Sequence, residues 1–252
     1  MKLVRFRIGE RTACGMVNNE EVAEIDGDFF SPFKAIKACH PLSSVRLIAP
    51  CAPSKIVAVG LNYRDHAIEL GMAIPDEPII FLKPPTAVVG HDEPIIHPQT
   101  ASRMDFEAEL AVVIKDRIRG IGPNEAAGHI LGYTCANDVT ARDIQKKDGQ
   151  WTRAKSFDTF CPLGPWIETD LDPSDVPVES FLNGKRMQSS RTSQLIFSVD
   201  RLVSFISGVM TLLPGDVILT GTPAGIDRMR PGDEIEIRIE GIGALKNRVI
   251  SH

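Results

Sequence analysis

Cysteine is sparse in this sequence, positive charge is not in excess, and no long apolar run occurs; each shortage closes a route. Cys14, Cys39, Cys51, Cys135 and Cys161 are scattered and odd in number. None falls in a Cys-x-x-Cys pair, so neither a zinc knuckle nor a redox pair can be built locally. The pattern fits reduced, mostly buried thiols in a cytoplasmic protein. Lys and Arg total 28 against 33 Asp and Glu, a net charge of −5. Without a local basic run, no nucleic-acid partner is expected. No apolar stretch reaches membrane-spanning length, and Met1–Arg7 alternates apolar and charged residues where a signal peptide has an apolar block, so no membrane partner is expected either. Gly221-Thr222-Pro223-Ala224-Gly225 is Gly-rich but lacks the features of a phosphate loop or a dinucleotide fingerprint. No internal repeat or low-complexity segment occurs.

The 252 residues suffice for a large core. Residues 2–8, 12–18 and 21–25 read as short strands, followed by a short helix from Pro32 to Cys39 after the Ser31-Pro32 start signal, and a strand at Val45–Ile48. Pro50-Cys51-Ala52-Pro53 makes a stiff connector, which divides the chain into a small β-rich subdomain, 1–52, and a larger unit, 53–252. The larger unit opens on the strand Lys55–Gly60. Asn62 then reads as the cap of a short helix ended by Gly71, with Asp65 reciprocating. On that helix His66 and Glu69 are i and i+3 neighbours, either a surface ion pair or a carboxylate that orients a basic imidazole.

Met104 to Ile114 is the stretch least suited to plain packing. As one strand it places Phe106, Ala108, Leu110, Val112 and Ile114 on one face and Asp105, Glu107 and Glu109 on the other, followed by Ala111 and Val113. Two like charges near 4 Å repel by about 4 kcal/mol at an effective dielectric near 20. Either these acids face water on an edge strand, or a hard divalent cation relieves the conflict. Spacing alone leaves the three equivalent. Asp138 lies on a strand-to-helix turn, a common capping position. Thr140 with Asp143 reads as the cap of a helix through Lys147, with Arg142 and Gln145 on its outer face. Trp151–Trp166, rich in aromatic, Pro and Gly residues, reads as a fixed irregular loop. It holds Lys155, either a solvated surface lysine or a cation near anionic chemistry. A hairpin at Asn183-Gly184, an apolar helix from Arg201 to Leu212, and the strands Val217–Thr220 and Glu234–Glu240 complete the reading.

Six segments, in order, resemble the fumarylacetoacetate hydrolase family. They are Gly60-x-Asn62-Tyr63-x-x-His66-x-x-Glu69, Asp105-Phe106-Glu107-x-Glu109-Leu110, Asn137-Asp138-x-x-x-Arg142-Asp143-x-Gln145, Lys155-x-Phe157-Asp158 with Pro162-Leu163-Gly164-Pro165, Asn183-Gly184, and Thr220-Gly221-Thr222-Pro223-x-Gly225. The resemblance runs from about Lys55 to the C-terminus. It implies a mixed, β-rich α+β fold, a β-sandwich roll with short helices, and a homodimer. It also implies a Mg²⁺ or Mn²⁺ site, with Ca²⁺ in some crystals. Carried over residue by residue, it makes Glu107, Glu109 and Asp138 the metal ligands and gives Asp105 a supporting place. His66 with Glu69 becomes the catalytic dyad, Lys155 the active-site lysine, and Arg142, Gln145 and Thr222 substrate-side positions. Ser156 where many members have Gly, Phe106 for the commoner Tyr, and a short Gly225–Pro231 connection depart from the pattern.

The activity implied is metal-dependent chemistry on a small 2-oxo, acylpyruvate-like acid through a stabilised enolate, with hydrolytic C–C cleavage foremost. Tautomerisation of a 2-hydroxy-dienoate such as 2-hydroxyhepta-2,4-diene-1,7-dioate and decarboxylation of an oxaloacetate-like acid use the same site. A non-catalytic binding protein with a structural cation is the alternative of another class; it leaves His66, Glu69 and Lys155 unexplained as a set.

Overall fold

The computed structural model describes residues 1–252, the side chains of Lys37 and Leu70 excepted. The chain is mostly β-structure, with four short α-helices among the described residues: α1 (Arg64–Leu70), α2 (Arg142–Asp148), α3 (Thr152–Lys155) and α4 (Val199–Val209). The largest sheet follows the order Ala35–Pro41, Glu21–Ile25, Arg11–Asn18, Lys2–Ile8, Cys161–Glu168, Ile130–Asn137, Ala108–Ile114, Val217–Leu219, Ile56–Gly60, Ile79–Lys83. Strands from the first 50 residues therefore continue the sheet of the rest, joined where Lys2 and Leu3 pair with Glu168 and Ile167. A second sheet runs Lys185–Arg191, Pro177–Leu182, Glu234–Ile239, Gly243–Ser251, Ile95–His97, and a small one joins Thr140–Ala141, Met104–Asp105 and Arg228–Met229.

The strand Ala108–Ile114 lies at the centre of this arrangement because it is buried on both faces. Ala108, Leu110, Val112 and Ile114 enter one core with Val178, Ile235, Ile237, Ile239 and Leu245 of the second sheet. Ala111 and Val113 enter another core with Leu3, Phe29, Leu163 and Leu219. Each fully buried aliphatic side chain contributes about 1.5–3 kcal/mol, so apolar packing fixes the strand's register. The Asn183-Gly184 hairpin has φ of 51° and 79°, as a type I′ turn requires.

Three local expectations are corrected. Ala35–Pro41 is a strand, not the helix read from Pro32 to Cys39, because pairing with Glu21–Ile25 outweighs a lone helix-start signal. Cys161–Glu168 is a strand rather than irregular loop, and α3 precedes it. Its prolines are tolerated because the ladder to Ile130–Asn137 already slips register between Tyr133 and Cys135. The apolar helix begins at Val199, two residues before the expected Arg201, and ends at Val209.

Cys51, Cys135 and Cys161 are buried, Cys14 is half-buried and Cys39 exposed. Burial pushes the thiols of Cys51 and Cys161 up to about 12 and that of Cys135 higher still. Iodoacetamide at pH 8 is therefore expected to label the native protein at Cys39 and slowly at Cys14, and all five after denaturation. Rapid native labelling of Cys51, Cys135 or Cys161, read by mass spectrometry, contradicts this packing.

Candidate active site

Two neighbouring strand ends deliver the acids. Met104 to Ile114 is not one strand as the alternation suggested: Met104–Asp105 belongs to the small sheet, and pairing resumes at Ala108. In the break, the Glu107 N–H donates to Asn137 Oδ1 at 2.9 Å rather than to a ladder carbonyl. Asn137 is the partner of Ala108 and the last residue of its strand, so the next residue, Asp138, emerges beside Glu107. The Asp138 N–H donates to the Glu107 carbonyl at 2.9 Å and fixes that approach. Carboxylate oxygens of Glu107, Glu109 and Asp138 lie within 4.8 Å of one another, and all three residues are buried.

Basic side chains surround this cluster. Lys155 Nζ donates to Glu107 Oε2 at 2.8 Å and to Asp138 Oδ2 at 2.6 Å. Arg142 donates through Nη2 to Glu107 Oε1 at 2.5 Å, through Nε to Asp105 Oδ2 at 2.9 Å, and through Nη1 to Gln145 Oε1 at 2.7 Å. Asp105 stands outside the cluster, between Arg142 and Arg103. Burial pushes the Glu107 carboxyl up, but Lys155 and Arg142 overcome it and hold the group at about 2. The opposite holds at Glu109. Burial, then Asp138, then Glu107 push its carboxyl well above the ordinary range, and Lys155 with the Gly221 N–H offsets only part of this. Glu109 Oε2 accepts from the Gly221 N–H at 2.6 Å, and among the described residues Oε1 accepts no hydrogen bond. Gly221 makes that contact at φ 100°, where a Cβ would stand 2.8 Å from Asn62 Cβ.

Of the dyad, His66 lines the same cleft as the acids, a space of about 330 Å³ that also borders Glu107, Glu109, Asp138, Arg142, Gln145, Lys155 and Thr222. His66 Nδ1 lies 2.8 Å from Glu69 Oε2, while Glu69 Oε1 accepts from the Gly225 N–H at 3.0 Å. Glu69 is thus held from a second segment and holds the ring, leaving Nε2 as its remaining nitrogen. Thr222 Oγ1 donates to the Ala108 carbonyl at 2.9 Å and accepts from Gln188 Nε2 at 2.8 Å.

The structure adds residues that the sequence reading did not single out. Lys83 is buried, and its Nζ donates to Asp138 Oδ1 at 2.5 Å and to the Val139 carbonyl at 3.3 Å. Its signal was available: one cation ends the otherwise apolar strand Ile79–Lys83, just ahead of Pro84-Pro85. Gln188 ties the Thr222 loop to the strand by accepting from the Ala108 N–H at 3.0 Å. Two expected caps are absent. The cap residue of α1 is Tyr63, while Asn62 Nδ2 instead donates to the Phe197 and Thr220 carbonyls at 3.1 and 2.7 Å. The cap residue of α2 is Ala141, and Thr140 Oγ1 donates to Glu107 Oε1 at 3.1 Å. In both places a buried polar network outweighs the local capping choice.

The donor set fits a hard divalent cation: it is all oxygen, converges from a strand and a turn, and carries one acid whose charge its neighbours leave uncompensated. Lys155 already bridges two of the same carboxylates, so the cluster has a resident cation and a surplus of negative charge together. A mixed β-roll enclosing such an acidic cleft, with the histidine of a histidine–glutamate pair in its lining, defines a class of enzymes. The chain belongs to the fumarylacetoacetate hydrolase family: residues 55–250 match the family described as fumarylacetoacetate (FAA) hydrolase C-terminal, and residues 1–50 match one described as Rv2993c-like, N-terminal. It is 43% identical over 223 residues to a mitochondrial oxaloacetate tautomerase of Bos taurus, covering 83% of this chain and 71% of that one. Among solved structures it is similar to a 2-hydroxyhepta-2,4-diene-1,7-dioate isomerase of Mycobacterium marinum (TM-score 0.94, 46% identity, 100% and 98% covered). It is also similar to a maleylpyruvate hydrolase of Sphingobium in complex with manganese(II) and pyruvate (TM-score 0.83, 29% identity, 100% and 99% covered). No described helix is long and apolar enough to cross a membrane.

Because its carboxyl is raised, Glu109 binds a proton more tightly in the metal-free folded chain than in the unfolded one. The stability this contributes is complete below the unfolded value of 4.5 and is lost as pH rises through the folded value. At pH 8, metal-free Glu109→Gln, which keeps an acceptor for the Gly221 N–H, is expected to melt roughly 2–4 °C above the unsubstituted protein. Added Mn²⁺ should raise the melting temperature of the unsubstituted protein only. A variant that melts lower at pH 8 without metal overturns this account of Glu109.

Proposed function

We propose that this protein is a divalent-metal-dependent enzyme acting on acylpyruvate-like 2-oxo acids through an enolate, cleaving a C–C bond by hydrolysis. The single observation that carries this is the shared cleft: an oriented imidazole lines it together with a buried three-carboxylate cluster and a buried lysine. In this reading residues 53–252 form the catalytic unit, residues 1–52 a β-rich companion, and the chain works as a cytoplasmic homodimer. Glu107, Glu109 and Asp138 would hold Mg²⁺ or Mn²⁺. The bound ion supplies Lewis-acid stabilisation for the charge that grows on the 2-oxo oxygen.

The remaining work falls to the chain's own residues. Glu69 accepts from His66 Nδ1–H and so fixes the tautomer in which Nε2 carries the lone pair. Nε2 takes a proton from water, and the hydroxide oxygen bonds to the distal acyl carbonyl carbon. The C–C bond then breaks, and its electron pair stays with the 2-oxo acid fragment as an enolate. Lys155 places positive charge beside that oxyanion. The proton returns to carbon and gives a saturated 2-oxo acid and a carboxylic acid. Arg142, Gln145 and Thr222 orient the substrate's oxygens.

A second reading, tautomerisation, is favoured by a specific observation: the isomerase and the tautomerase are 46% and 43% identical to this chain, the hydrolase 29%. There His66 carries a proton between carbon and oxygen, and water does not attack. Product analysis on an acylpyruvate, a 2-hydroxy-dienoate and oxaloacetate separates the outcomes: two organic fragments support hydrolysis, an isomer supports tautomerisation, and carbon dioxide supports decarboxylation. His66→Ala should lose roughly 10²–10⁴ in kcat while still binding Mn²⁺, whereas Glu107→Ala should lose both activity and Mn²⁺ binding. Full turnover by His66→Ala contradicts its role as base.

A further inference from the structure

Three neighbouring strands among the first 50 residues bring like charges together. The strand Lys2–Ile8 lies between Arg11–Asn18 and Arg46–Ile48, antiparallel to both. In that register Arg7 stands directly opposite Arg46 on one side and Thr12 on the other. Directly opposed residues share a face of the sheet, with Cβ atoms about 4.5–5.5 Å apart. Arg5, two residues before Arg7, points to the same face. Like charges placed opposite one another weaken a ladder, and little here offsets them. Glu93 pairs with Arg46 at 3.2 Å, but its other oxygen accepts from the Gly90 N–H at 2.7 Å. Arg5 donates to the Ala49 carbonyl at 3.1 Å, and Arg7 makes no ion pair or side-chain hydrogen bond among the described residues. Arg11 of the same sheet, by contrast, is held by both carboxylate oxygens of Glu24. Arg7 and Arg46 also border one depression of about 510 Å³, with Gly9, Glu10, Thr12 and Ser44 as the rest of its lining. Ser44 Oγ donates to the Pro41 carbonyl, whereas the Thr12 hydroxyl donates to no group among the described residues.

We propose that Arg7 and Arg46, with the Thr12 hydroxyl, form a binding site for a phosphate group, in a depression that shares no lining residue with the acidic cleft. Each guanidinium presents a planar fork of N–H donors that matches two oxygens at once. A lone carboxylate has oxygens for one such fork. A phosphate group has enough for both, and its negative charge cancels the repulsion built into the register. Glu10 is the one acid in the lining and opposes the ligand. Inorganic phosphate and a phosphomonoester present the same chemistry, and the experiment separates them. The site is independent of the reaction proposed for the cleft.

The test reads the melting temperature of the Mg²⁺-supplemented protein in inorganic phosphate, in glycerol 2-phosphate and in potassium chloride, all at matched ionic strength. At about five times the dissociation constant, a phosphate ligand is expected to raise the melting temperature by roughly 2–4 °C over chloride. Arg7→Met and Arg46→Met should each weaken binding roughly tenfold, the loss of hydrogen bonds to a charged group. Glu10→Gln should strengthen it, and Arg11→Met, which removes the arginine already paired with Glu24, should leave it unchanged. A larger rise with the ester assigns the site to a phosphorylated small molecule; an equal or smaller one assigns it to free phosphate. In chloride alone Arg7→Met should melt no lower than the unsubstituted protein, because it relieves the opposed charges. No rise with either phosphate ligand, a rise undiminished in both arginine variants, or a lower melting temperature for Arg7→Met in chloride overturns the inference.

Discussion

Buried negative charge is the constraint around which this protein is arranged. Asp105, Glu107, Glu109 and Asp138 lie out of water within a few residues of strand and turn. An isolated carboxylate in such a place costs several kcal/mol even after relaxation, so each needs a partner. Arg103 and Arg142 serve Asp105, Arg142 and Lys155 serve Glu107, and Lys83 and Lys155 serve Asp138. Among the described residues, Glu109 accepts only the Gly221 N–H, at one oxygen. The break at Phe106–Glu107, the fully buried lysines and the tight approach of Gly221 to Asn62 all follow from placing four acids where apolar packing wants none.

That uneven compensation separates the acids. Glu107 is held ionised, whereas Glu109 is pushed toward its protonated form until positive charge arrives. Neighbouring carboxyls whose environments drive them apart mark sites built for chemistry rather than packing. The dyad sits on a different element: α1 carries both His66 and Glu69, and the Gly225 N–H anchors Glu69 from the loop that also supplies Gly221. One loop therefore touches both the acidic cluster and the base, and couples their positions.

Much of this was legible in the sequence where local pattern and tertiary demand agree. The alternation in Ala108–Ile114 matches a strand buried on both faces, and the i, i+3 spacing of His66 and Glu69 places them in contact. Where the reading went wrong, long-range partners were decisive. Ala35–Pro41 is a strand because Glu21–Ile25 lies beside it, and Cys161–Glu168 tolerates its prolines because its neighbour's register is already irregular. Asn62 and Thr140 look like helix caps by spacing, yet their side chains serve buried groups brought in from far along the chain. Lys83 escaped notice because a single lysine closing an apolar strand reads as a surface residue until Asp138 is seen beside it.

The proposed function requires one divalent ion per chain to supply the positive charge that the surroundings of Glu109 lack. Calorimetric titration of the metal-free protein with Mn²⁺ at pH 7, in two buffers of different ionisation enthalpy, tests it most directly. The expected result is one ion per chain, with a buffer-dependent heat that reports a proton given up on binding. Failure to bind at that stoichiometry, or binding with the same heat in both buffers, would contradict it.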